Sequence, residues 1–143
     1  MGSNGRHALV ERAYRARGDG DRPGALALYL ESAEALRIAG DRVAEASALR
    51  HAADIHREQD NPGEAWRLYE AAWALYDTLT PAPDLDLANC LRPMALWQEA
   101  YGERSRALVL WREARAWYEK AAERYDLQPA FDECDRHIRA LTA

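Results

Sequence analysis

The stretch NPGEAWRLYEAAWALY, Asn61 to Tyr76, places two tryptophans and two tyrosines on what reads as a single helix. Its start is written locally. Asn61 can cap, Pro62 suits the first helical position, and Glu64 stands three residues after the cap, where it can reach back. Asp21 followed by Pro23 is a looser version of the same signal, and Gly102 marks a turn before a third.

The stretch recurs. Aligning Ala65 with Ala25 and Ala107 gives steps of 40 and 42 residues and the segments ALALYLESAEAL, AWRLYEAAWALY and ALVLWREARAWY. Leu28, Leu68 and Leu110 then match, as do Tyr29, Tyr69 and Trp111, the small residues Ser32, Ala72 and Ala114, and the large residues Leu36, Tyr76 and Tyr118. This spacing marks one face of a helix, with small residues admitting a neighbour and large ones filling the space beside it. The aromatics therefore read as core and not as a ligand-stacking surface.

A partner helix precedes each copy. SALRHAADIHRE aligns with NCLRPMALWQEA, pairing Leu49 with Leu91, Arg50 with Arg92 and Ala53 with Ala95. The first partner helix has two registers: a step of 40 aligns Leu9 and Ala13, and a step of 42 aligns Val10 and Tyr14. Pro93 interrupts the helix expected from Asp84 to Ala100, at a cost of about 3 kcal/mol and one backbone bond to Asn89. Either that helix kinks or it begins at Pro93; the apolar match on both sides favours the kink. Beyond the third copy, Leu127, Phe131, Cys134, Ile138 and Leu141 form the stripe of a seventh helix that covers the end of the array.

Bulk properties agree with one domain over residues 1–143. The chain is 48% hydrophobic and 30% charged, which fits a folded helical protein. It has no apolar run near the ~18 residues that span a bilayer and no apolar signal segment at the start, so a cytoplasmic home and no membrane partner are expected. A net charge of −5 opposes sequence-independent nucleic-acid binding. Lys120 is the one lysine among 19 basic residues, in keeping with a GC-rich genome; arginine grips carboxylates in a fork. Cys90 and Cys134 are expected as free, buried thiols.

Catalytic signals are absent from the sequence: no GxxxxGK, GxGxxG, GxSxG or HExxH occurs. His51 and His56 diverge around their helix, and Asp54 stands where it can hydrogen-bond His51. Cys134 and His137 have metal-compatible spacing, but Cys134 belongs to the apolar stripe. No catalytic, cofactor-binding or metal-binding residue is expected.

The residues Leu49, Ala53, Ala65, Tyr69 and Ala72, with Leu91, Ala95, Gly102, Ala107, Trp111 and Ala114, resemble the packing pattern of the tetratricopeptide repeat family in its longer form of about 42 residues. The resemblance covers residues 5–125, with repeats at 5–39, 42–79 and 84–125 and a cap at 127–141. It implies an all-α, right-handed superhelix of three antiparallel helix pairs (5–17 with 22–38, 42–59 with 62–77, 84–101 with 104–124) and a capping helix over 128–141. Family members carry an aromatic late in each first helix, where this chain has His56 and Gln98. The resemblance also implies a concave groove lined by the first helices, here Arg12, Arg15, Ser47, Arg50, Asp54, Arg57, Asn89, Arg92, Leu96 and Glu99. Arg50 and Arg92 recur at one position, which points to an acidic segment or a C-terminal carboxylate as ligand, unless Asp54 and Glu99 neutralise them. The family's lysine–asparagine carboxylate clamp is not matched, because Asp54 and Leu96 stand at clamp positions. The expected role is protein or peptide binding as a monomer or weak homo-oligomer. The alternative is self-assembly through the uncapped first helix pair.

Overall fold

Aspartates and a glycine satisfy free backbone groups at two of the helix starts and at one helix end. The Asp21 carboxylate accepts from the Gly24 N–H at 2.9 Å, and the Asp41 carboxylate from the Ala44 N–H at 3.2 Å. Gly40, left-handed at φ 77°, ends the second helix and lets the Asp41 N–H reach the Leu36 carbonyl at 3.0 Å. The structure, a computed structural model, describes residues 2–143; Met1, the first residue of the expected single domain, lies outside them. It is all-α: α1 Ser3–Gly18, α2 Arg22–Ala39, α3 Arg42–Glu58, α4 Pro62–Asp77, α5 Asp84–Tyr101, α6 Arg104–Ala121 and α7 Gln128–Thr142. No strand occurs among the described residues. The chain divides into two compact units, Met1–Tyr76 and Asp77–Ala143.

Within the first unit α1 packs on α2 and α2 on α3. The recurring positions are the core: Ala25, Ser32, Ala65 and Ala72 have no exposed surface, and Tyr29, Leu36, Tyr69 and Tyr76 are buried beside them. Leu9 and Ala13 are buried while Tyr14 is 72% exposed, so the step of 40 sets the register of α1. In the second unit α5 packs on α6 and α6 on α7, around Ala107, Trp111, Ala114 and Tyr118.

Two local expectations change. Glu64 does not reach back to Asn61; both its oxygens meet Arg67, while the Asn61 amide faces His56 Nδ1 at 3.4 Å. The helix α5 runs unbroken from Asp84 to Tyr101 with Pro93 buried inside it, so no new helix begins at Pro93. The polar residues at the expected aromatic positions serve the turns. Gln98 Oε1 accepts from the Glu103 N–H at 3.1 Å, and His56 faces Asn61, its repeat equivalent of Glu103. A Cβ on Gly102 would lie 2.0 Å from Gln98 Oε1, so glycine there makes room for that bond.

The helix α7 behaves as the stripe predicts. Cys134 is fully buried against α6, and Phe131, Ile138 and Leu141 are half-buried. Arg115 lies over the Phe131 ring and bonds Asp135 at 2.7 Å. Both cysteines are buried and outside any disulfide, and burial pushes the Cys134 thiol up to about 11.

Candidate functional site

The register of α1 relocates the groove in the first unit. A step of 40 makes His7, Val10, Tyr14 and Arg17 the counterparts of Ser47, Arg50, Asp54 and Arg57. Between α1 and α3 lies a recess of about 480 Å³ with His7 and Val10 on one wall and Ala44, Ser47 and His51 on the other, floored by Tyr29. A second hollow of about 440 Å³ shares Val10, Tyr29 and His51 and extends the trough to Tyr14 and Arg15. Of the two arginines expected from α1, Arg15 borders this trough, at 3.8 Å from Glu11, whereas Arg12 is exposed and does not line it. With Leu9 and Ala13 buried, the counterparts of Asp54 and Arg57 on α1 are Tyr14 and Arg17, and not Arg12 and Arg15.

The floor is a stacked pair. The Tyr29 and His51 rings lie 5.0 Å apart at 16°. The Arg50 Nη2 stands 3.5 Å from His51 Nε2; a guanidinium can only donate, so Nε2 accepts and Nδ1 carries the proton. Nδ1 is buried and has no partner among the described residues. Burial, with the Arg50 and Arg17 charges, lowers the imidazole to about 4, so His51 is neutral at physiological pH. The expected His51–Asp54 hydrogen bond is not made, because Asp54 is engaged by α4.

Asp54, 8% exposed, accepts a hydrogen bond from the Tyr69 hydroxyl, whose oxygen in turn accepts from Arg57 Nε at 3.0 Å. Arg50 Nη1 lies 3.5 Å and Arg57 Nη2 3.9 Å from the same carboxylate. Burial pushes the Asp54 carboxyl up, against the opposing pull of Tyr69 and the two arginines. Three of the expected groove residues are thus one partly buried network that ties α3 to α4. Ser47 alone of the α3 candidates lines the trough.

In the second unit the α5 candidates are also engaged, mostly by later helices. Asn89 Oδ1 accepts from the Tyr118 hydroxyl at 2.8 Å. Arg92 forks onto Glu133 of α7, with Nη2 at 2.9 Å from Oε2, and not onto Glu99. Glu99 accepts from Trp111 Nε1 at 2.7 Å and lies 2.8 Å from His137 Nδ1. The His137 ring stacks on Trp111 at 4.2 Å, as His51 does on Tyr29, so α7 meets α6 through the contact that α3 makes with α2. Leu96 is half-buried. Among the described residues no three His, Cys, Asp or Glu side chains gather where they could hold a metal ion. No helix among them is long and apolar enough to cross a membrane.

The residues missed by the sequence reading are His7, Val10, Tyr14, Tyr29, Ala44 and His51. The available signal was the alignment of Leu9 and Ala13 at a step of 40.

No protein-family model matches the chain, and no curated protein matches it. Among solved structures, BtubC (BKLC) from P. vanneervenii is similar to it, with a TM-score of 0.84 at 14% identity over 95% of this chain. The match spans 54% of BtubC, about half its length. At that identity the likeness is one of fold, and it places this chain among all-α, helical-repeat-like structures.

Proposed function

We propose that this chain is a tetratricopeptide-type interaction module. It works in the cytoplasm without a cofactor and binds a peptide or a partner protein along the trough between α1 and α3. The observation that carries this reading is the trough itself. It is open, walled by His7, Val10 and Glu11 of one first helix and Ala44 and Ser47 of the next, and floored by the stacked Tyr29–His51 pair. A preformed wall of this kind lowers the ordering cost of binding an extended segment. An acidic segment stays the preferred partner, with Arg15 at the end of the trough as its cation. Arg50 and Arg92 hold their carboxylates in partly buried pairs, whereas the Arg15–Glu11 pair is exposed, so Arg15 is the trough arginine best placed to meet a partner's charge.

The test is affinity capture from the source cell with the wild-type chain and with Val10→Arg and Ser47→Arg, which fill the trough from half-buried positions. Capture should fall at least about tenfold in both, equivalent to ~1.4 kcal/mol, with helical circular dichroism unchanged. Equal capture by the filled variants, or no capture by the wild type above a bare-resin control, would refute the proposal. Arg50→Ala is a poor probe, because it strips a charge partner from the buried Asp54.

A further inference from the structure

The phenol at the floor of the trough lacks the partners that its repeat counterpart has. A step of 40 makes Tyr69 the counterpart of Tyr29, and Asp54 and Arg57 those of Tyr14 and Arg17. In the second copy the Tyr69 hydroxyl donates to Asp54 and accepts from Arg57 Nε. In the first copy neither contact is made. Tyr14 stands in place of the carboxylate and is 72% exposed, and Arg17 is drawn to Glu58. The Tyr29 hydroxyl is left with no hydrogen bond among the described residues, although Tyr29 is 1% exposed and lines both hollows of the trough. A buried hydroxyl without a partner keeps its desolvation cost, which an incoming acceptor relieves. Burial pushes this phenol above its ordinary range, against the Arg17 and Arg50 charges, so it holds its proton and can donate.

The charges beside it favour an anion. Arg17 and Arg22 share Glu58, and Arg50 and Arg57 share Asp54, so four guanidinium groups meet two carboxylates. His51 is neutral and adds nothing to either side. The fold itself shows that a carboxylate is tolerated against such a phenol, since Asp54 sits there at 8% exposure. We infer that an aspartate or glutamate side chain of the partner takes, on Tyr29, the place that Asp54 takes on Tyr69, accepting from the phenol with Arg17 beside it. A side chain fits better than a chain end. Tyr29 lies where the two hollows meet, and the trough continues past it toward Ser47 on one side and Arg15 on the other. The inference rests on the reading of the trough as a peptide site and supplies the contact that selects an acidic one.

Tyr14→Asp restores, at an exposed position, the carboxylate that the second copy carries. In urea unfolding of the full chain it should be more favourable in the wild type than in a Tyr29→Phe background, by at least about fivefold in the folding constant. For binding, the probes are short end-capped peptides with one central glutamate among small and apolar residues. The same peptides with glutamine, and with glutamine and a free chain end, are the comparison sets. Nuclear magnetic resonance titration, followed at Val10 and Ser47, should show the glutamate set binding at least about tenfold tighter than the glutamine set. Tyr29→Phe and Tyr14→Asp should each erase that preference. Equal binding of the glutamate and glutamine sets would overturn the inference and leave the trough a peptide site, whereas binding by no set would remove both. A preference for the free chain end over the internal glutamate, or Tyr14→Asp acting alike in both backgrounds, would also overturn it.

Discussion

Replacing Tyr69 with phenylalanine removes one oxygen from the network that joins α3 to α4 and keeps the ring that fills the core. The hydroxyl donates to Asp54 and accepts from Arg57 Nε, and both Tyr69 and Asp54 are buried. A hydrogen bond to a charged group contributes about 1.5–3 kcal/mol, and a buried carboxylate deprived of its donor keeps its desolvation cost. The expected loss is ~2 kcal/mol at pH 7. With about 2.1 cal/mol/K of unfolding entropy per residue, the whole chain would melt roughly 7 °C lower. Urea unfolding followed by circular dichroism measures the free energy directly. The Asp54→Asn and Tyr69→Phe/Asp54→Asn variants complete a cycle that isolates the pair. Acid gives a second handle: burial raises the Asp54 carboxyl, so it takes up a proton early on acidification, and the penalty of Tyr69→Phe should shrink as it does. A loss below about 0.5 kcal/mol at pH 7, within the spread of ordinary surface substitutions, would show that the phenol does not support Asp54.

The neutral His51 gives a pH dependence of defined sign. Its folded pKa of about 4 lies below the ordinary 6.5, so the unfolded chain takes up a proton that the fold refuses. Stability is full above pH 6.5 and falls as the pH drops to about 4, by at most ~3 kcal/mol. His51→Gln should flatten the urea midpoint between these limits, and parallel profiles for the two proteins would count against the assignment. Gly102→Ala should cost ~1 kcal/mol by displacing Gln98 Oε1 from the Glu103 N–H. In a Gln98→Ala background the same change should cost almost nothing, and an undiminished cost there would place the strain elsewhere.

The helices were legible because their signals are local or periodic. Alanine, tyrosine and tryptophan recur at fixed offsets, and glycine and aspartate mark the ends; the observed helices follow the expected ranges closely. The last residues of the expected 104–124 helix form a turn instead, where the Arg124 and Tyr125 N–H groups both reach the Ala121 carbonyl. The groove was less legible. Its positions depend on the register of α1, and two glycines near Asp19 blur the step by two residues. The polar contacts were harder still: Asp54 does meet Arg50 one turn away on its own helix, but most partners lie elsewhere. Arg92 finds Glu133, Glu99 finds Trp111 and His137, and Asp54 finds Tyr69, all on other helices. Such pairings depend on how one helix rolls against the next, which residue spacing within a helix does not encode.

The contact between Arg57 and Tyr69 reappears 42 residues later with its polarity reversed. Where a cation meets a phenol oxygen in one copy, the carboxylate of Glu99 meets an indole N–H in the other. A phenol can meet either sign of charge there, as Tyr69 meets both Arg57 and Asp54, but an indole can only donate and so takes the carboxylate alone. The two changes are consequently ordered: with a phenol opposite, the charge can reverse first, but an indole cannot come first. A chimera that joins the helix bearing Arg57 to the helix bearing Trp111 would set a donor against a donor. The natural cassette for recombining such proteins is the whole hairpin.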